Sequence, residues 1–125
     1  MRKRVLDVGQ CGPDHATIRH YLSRNFDCDV VQVDDADGAL AELRGGEFHL
    51  VLVNRKLDID YSDGIDVIRV LKANPQTAAV PVMLVTNYPE HQEAAIAVGA
   101  VRGFGKLEFG DPATRNRIAE HLENS

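Results

Sequence analysis

The side chains best suited to chemistry stand just after short apolar runs. Asn54 follows LVLV, Thr86 follows VMLV, Lys106 follows VRGFG, and Gly9-Gln10-Cys11 follows VLDV. Brought together, a hydroxyl, an ammonium and an amide could hold a small anion or metabolite, with Gly9 leaving room and Lys106 supplying charge. Nucleophilic or metal chemistry fits less well. An amide oxygen is neutral and a weak nucleophile, and Mg²⁺ wants charged oxygens that these positions lack. Plainer roles compete: Lys106 could bond only Asn54 and local carbonyls, and Thr86 could be just a strand-end hydroxyl.

Other reactive residues give weaker signals. Asp7 interrupts the first apolar run. An unpaired buried carboxylate is costly, so Asp7 must be hydrogen-bonded or have a raised pKa. The sharper alternative makes it a relocated functional acid. Cys11 is expected at the mouth of the pocket, as an inert thiol in preference to a redox sensor. Asp58, Asp60 and Asp63 are spaced like part of a calcium loop, yet Asp63 falls where that loop needs Gly and Arg69 where it needs Glu. The five His residues show no ligand spacing, so no metal site is expected.

These residues need a scaffold, and the chain is long enough to build one. Its 125 residues fit a single domain over 1–125, with no output domain expected. Apolar residues make up 44% and charged residues 26%, a globular balance. The net charge of −5 disfavours nucleic-acid binding, which needs clustered cations. The basic start, Met1-Arg2-Lys3-Arg4, is short and reads as a solvated terminus. Cys11 and Cys28 are too few for a disulfide framework and suit a reducing cytosol. No apolar leader and no membrane-length run is visible, so a cytoplasmic location is expected.

Hydrophobic periodicity predicts five strand–helix units. Strands are expected over 5–8, 30–33, 48–53 and 80–85, with a weak fifth over 101–105. Helices are expected from Pro13, over 35–43, across Ile65, Ile68 and Leu71, over 90–98, and over 112–122. Gly45-Gly46, Asn74-Pro75 and Gly99 supply stops, and Asp111 before Pro112 supplies an N-cap. Such alternation implies a parallel sheet covered on both faces, with ligands outside the carboxyl ends of the strands.

Two segments carry a family resemblance: FHLVLVNRKLDIDYSDGIDVIRVLKA, 48–73, and VPVMLVTNYPEHQEAAIAVGAVRGFGK, 80–106. They resemble the receiver domain of bacterial two-component response regulators, nearly end to end. The resemblance implies a flavodoxin-like, CheY-like α/β fold: a doubly wound five-stranded parallel sheet of order 2-1-3-4-5. In that family, two acids after strand one and an Asp after strand three hold Mg²⁺. The Asp takes a phosphoryl group from a partner histidine, a Thr bonds that group, and a Lys offsets its charge. Thr86 and Lys106 match. Asn54 stands at the phosphoacceptor position, and Gly9 and Gln10 stand at the acidic pair. Asp58 lies too far into its loop to replace Asn54.

Two further departures follow. The family places a cis Pro after the Lys; here Leu107 implies a trans bond and a shifted loop. The family's aromatic switch position holds Gly103, and Phe104, one residue on, should face the other way. The resemblance with these losses implies a degenerate receiver: no enzyme, no cofactor, and Mg²⁺ binding lost or very weak. It would act by contact with a signalling protein, through a face formed by 89–98, 101–105 and 112–122, and is compatible with a weak homodimer. Two alternatives remain: a sensor of a small ligand or anion, and a phosphorelay receiver carrying an introduced Asn54.

Overall fold

A computed structural model describes residues 2–123; Met1, Asn124 and Ser125 lie outside them. The elements alternate as β1 (Lys3–Val8), α1 (Gly12–Asn25), β2 (Cys28–Val33), α2 (Ala36–Gly45), β3 (Leu50–Asn54), α3 (Gly64–Ala73), β4 (Val82–Val85), α4 (Pro89–Ala97), β5 (Val101–Phe104) and α5 (Pro112–Leu122). All strand pairings are parallel, in the order β2-β1-β3-β4-β5. This is the flavodoxin-like receiver fold expected from the sequence.

The apolar runs explain the layering. Successive strand residues face opposite sides, and a parallel sheet buries both. Val51 and Val53 of β3 join Val82 and Leu84 of β4 in a core closed by Ala39, Val67, Ile68, Leu71 and Ala95 from α2, α3 and α4. Leu50, Leu52, Met83 and Val85 face the other way, onto Ile18 and Leu22 of α1 and Ile118 and Leu122 of α5. Burying each such side chain is worth roughly 1.5–3 kcal/mol, so the two cores hold β3 and β4 rigidly. Rigid strands carry their carboxyl-end residues to fixed places.

Helix ends follow local chemistry. Asp35 accepts the Gly38 N–H at 2.9 Å and Asp111 accepts that of Ala113 at 2.9 Å, each satisfying an orphan donor. Gly99, at φ 112°, supplies the left-handed residue that ends α4.

Several boundaries differ from expectation for physical reasons. β1 begins at Lys3 because Lys3 and Arg4 pair in register with Cys28 and Asp29. The basic start is therefore no free tail: Arg2 reaches Asp27 at 2.6 Å and Asp29 at 3.1 Å. β4 begins at Val82 because Pro81 has no N–H to donate, although its carbonyl accepts from Val51 at 2.9 Å. Phe48 precedes β3, its ring covered by the Arg4 guanidinium 4.2 Å away.

Candidate functional site

The carboxyl ends of β3, β4 and β5 open on a cleft of about 220 Å³. Asn54, Arg55, Lys56, Val85, Thr86, Asn87, Tyr88 and Lys106 line it. Three of the residues singled out in the sequence therefore converge: Asn54, Thr86 and Lys106.

Asn54 uses both ends of its amide. Its Oδ1 accepts from Lys106 Nζ at 3.2 Å, and its Nδ2 donates to the Lys56 carbonyl at 2.7 Å. A carboxylate here would set an oxygen against that carbonyl, so the local backbone suits an amide. Lys106 does not turn to local carbonyls. Its second partner is Asp14 Oδ2, 2.7 Å away in the first turn of α1. The bond to Lys106 holds the Asp14 carboxyl below the usual carboxylate range. Thr86 is buried; its Oγ1 accepts the Tyr88 N–H at 3.3 Å and lies 3.5 Å from His91 Nδ1.

Gly9, Gln10 and Cys11 do not line the cleft. Gly9 has φ 81°, a conformation that disfavours any side chain, and a Cβ there would run into the Leu57 side chain. The room expected beside Gly9 is thus already filled by Leu57. Gln10 is buried, and neither atom of its side-chain amide has a partner among the described residues. Cys11 is the N-cap of α1, next to the Asp14 carboxyl that holds Lys106, and does not itself line the cleft.

Asp7 lies beneath this corner, fully buried on the α1 side of the sheet. Its Oδ2 is 2.7 Å from His15 Nδ1, while Oδ1 has no partner among the described residues. Burial pushes the carboxyl up to about 6, against the opposing pull of His15 and, more weakly, Lys106.

Gly103 and Phe104, expected at the switch position by resemblance, face opposite sides of the sheet. Gly103 faces α4, and its N–H donates to Gln92 Oε1 at 2.8 Å. Gln92 Nε2 in turn donates to the carbonyls of Leu84, at 2.9 Å, and Thr86, at 3.3 Å. One buried amide thus ties α4 to β4 and β5. Any Cβ at Gly103 would collide with the Leu84 carbonyl, so no aromatic fits there without movement of β4. Phe104 faces the α1 and α5 core, as its parity predicts. No cis peptide occurs among the described residues. The Leu107 N–H, which a Pro would lack, donates to Asn87 Oδ1 at 3.1 Å and locks the two loops together.

The residues present do not fit Mg²⁺. No carboxylate lines the cleft, Asp14 is engaged by Lys106, and the acid positions of β1 are a blocked glycine and a buried amide. The acidic loop is also self-satisfied. Asp60 accepts from Ser62, and Asp63 pairs with Lys56 at 2.6 Å.

Sequence reasoning missed Asp14, Gln92, Asn87 and Leu57. Asp14 had a signal, an acid in the first turn of a helix that starts at the carboxyl edge of the sheet. The other three act through contacts that no spacing reveals.

No protein-family model matches the sequence, and comparison with curated proteins finds no match. Solved structures do resemble the chain. The chemotaxis protein CheY4 of Vibrio cholerae superposes with a TM-score of 0.77 at 19% identity, over 98% of this chain and 99% of that one. A phosphorylated cyanobacterial phytochrome response regulator, RcpA, gives 0.78 at 19% identity, over 99% and 96%. NtrX from Brucella abortus gives 0.74 at 25% identity, over 98% of this chain but 27% of the longer one. The chain has the fold of response-regulator receiver domains.

Proposed function

We propose that this chain is a signalling module on a receiver scaffold that works by protein contact, without phosphorylation and without catalysis. The observation that carries the reading is the blocked end of β1. Left-handed Gly9, packed against Leu57, disfavours any side chain at the first of the two positions where the family carries its metal-binding acids. The Asn54 amide supports it, because its donation to the Lys56 carbonyl is a bond no ionised carboxylate could make. An introduced Asn54 in an otherwise working site fits poorly with that backbone.

By resemblance, the contact face is α4, β5 and α5. Ile96 and Val101 are exposed there, and the Gln92 clamp favours one constant conformation over a switched one. Contact through this face could include weak self-association. A cytoplasmic setting suits such a partner-dependent role.

The test is backbone amide NMR of the protein alone, with Mg²⁺, and with Mg²⁺ plus beryllofluoride. Unmoved peaks at Asn54, Thr86 and Lys106 are expected. Large saturable shifts there would overturn the reading.

A second reading has one observation in its favour. Arg55, Lys56 and Lys106 line the cleft and no carboxylate does, which suits a small oxyanion. A thermal-shift series with inorganic phosphate decides it: a midpoint that rises with ligand excess supports a sensor, and an unmoved midpoint removes it.

A further inference from the structure

Seven large apolar side chains are exposed among the described residues, and four of them stand on the loops that follow β3, β4 and β5. They are Ile59 at 58%, Tyr61 at 76%, Tyr88 at 54% and Leu107 at 86%. Because β3, β4 and β5 are neighbours, these loops lie side by side at the carboxyl edge of the sheet. Scattered exposed apolar residues need no explanation, but a group at one edge does.

Tyr61 sharpens the point. It has φ 58°, a left-handed conformation that a bulky residue rarely adopts. The loop holds it there firmly. Tyr61 N–H donates to the Leu57 carbonyl at 2.8 Å, and Leu57 N–H donates to that of Ser62 at 2.9 Å. The Ser62 N–H and hydroxyl both donate to Asp60 Oδ1, at 2.9 and 2.6 Å. A strained backbone thus keeps an aromatic ring in water, where it gains nothing in the free protein.

Between these loops lies the cationic cleft. Lys106 and Lys56 are held by Asp14 and Asp63, both partly solvent-exposed, and Arg55 forms no ion pair among the described residues. Asp58, Asp60 and Asp63 alternate with Ile59 and Tyr61 on the β3 loop, so the positive charge is confined to the cleft itself, where Arg55 is the cation left for an incoming anion. A free oxyanion would use the charge and waste the apolar side chains. Nucleic acid would find too few cations on a chain of net charge −5.

We propose that this edge docks a protein segment carrying an Asp or Glu between apolar residues. The partner's carboxylate enters the cleft beside Arg55, competing with Asp14 for Lys106, and its neighbours cover Tyr88, Leu107 and Tyr61. The inference rests on the phosphorylation-independent reading above and adds a second surface, distinct from α4, β5 and α5.

Two displayed libraries of short linear peptides test it, one with a central Asp and one with a central Asn, both randomised at the flanks. Enrichment is expected from the Asp library alone, with Leu, Ile or aromatic flanks. The best peptide, titrated into isotope-labelled protein, should move the amides of Arg55, Thr86, Asn87 and Lys106. Its Asn isostere should bind at least about tenfold more weakly, as loss of a charge-assisted hydrogen bond implies.

Two variants guard against misfolding as an explanation. Tyr61→Gly relieves the left-handed backbone, so it should keep the fold and weaken binding several-fold. Arg55→Gln, on the surface, should erase most of the Asp-over-Asn preference. Equal enrichment of both libraries, no enrichment, or shifts confined to other faces would overturn the proposal. So would a surface covered by a second copy, seen as the same amides shifting with protein concentration alone. Shifts with Mg²⁺ and beryllofluoride would instead bring down the reading beneath it, so the two failures are distinguishable.

Discussion

The ends of β3 and β1 differ in how well their polar groups are satisfied. At the end of β3, Asn54 is fully employed: one amide atom accepts from Lys106 and the other donates to the Lys56 carbonyl. At the end of β1, Gly9 is locked in a left-handed turn against Leu57, and the polar atoms nearby are stranded. Asp7 Oδ1 and both Gln10 amide atoms are buried without partners among the described residues. The β3 end is fully satisfied, whereas the β1 end is tightly packed and buries a carboxylate at an electrostatic cost. Restoring an acid should therefore be tolerable at one end and damaging at the other, and neither change should restore Mg²⁺.

The largest effect is expected at Gly9. Gly9→Asp combines a disfavoured backbone with overlap against Leu57, and should cost about 3 kcal/mol or more in urea unfolding. A loss below about 1 kcal/mol would mean that the turn and Leu57 yield easily, and the contrast between the two ends would weaken.

Asp7→Asn comes next and has the opposite sign. A folded pKa of about 6 lies above the unfolded value of 3.8. The folded state thus favours the protonated form, and that stabilisation is fully present below pH 3.8 and lost as pH rises through about 6. At pH 8 the variant should be more stable than the parent by roughly 2–3 kcal/mol, with a flatter stability profile between pH 4 and 7. Urea unfolding across that range checks it. An unchanged profile would show that Asp7 titrates normally and that burial there costs little.

Asn54→Asp should be milder. It sets a carboxylate oxygen against the Lys56 carbonyl but improves the attraction to Lys106, for a net loss of about 1–2 kcal/mol. Calorimetric titration with Mg²⁺ should remain flat. A saturable heat would sharpen the comparison the other way, by showing that β3 alone can rebuild the metal site.

The smallest effect is expected at Asp14. Its pair with Lys106 is partly exposed, so Asp14→Asn should cost only ~0.5 kcal/mol, and less in high salt. Its lowered carboxyl pKa places that contribution at neutral pH and removes it on acidification. A larger loss would make Lys106 a structural anchor of the cleft.

Much of this was legible beforehand. Alternating apolar runs and helix stops placed all five strand–helix units, because burial on two faces demands β-rich runs and amphipathic helices demand their spacing. The order of the strands was readable only through the resemblance. That Gly, Gln and Asn stand at 9, 10 and 54 was plain from residue identity. The filling of Gly9's space by Leu57 was not, because those residues lie far apart in the chain. The same holds for Asn87 and Leu107, which meet across two loops, and for the hold of Gln92 on Gly103. The parity of Phe104 was predictable, since side-chain direction alternates strictly along a strand.

What the sequence determined by itself is therefore the scaffold and the chemistry withheld from it: residue type decides whether a carboxylate exists at all. Only the tertiary structure decided what surrounds positions 9, 10 and 54. Whether an amide is satisfied, a glycine crowded or a carboxylate stranded depends on neighbours brought together from distant parts of the chain, and local pattern does not encode those distances.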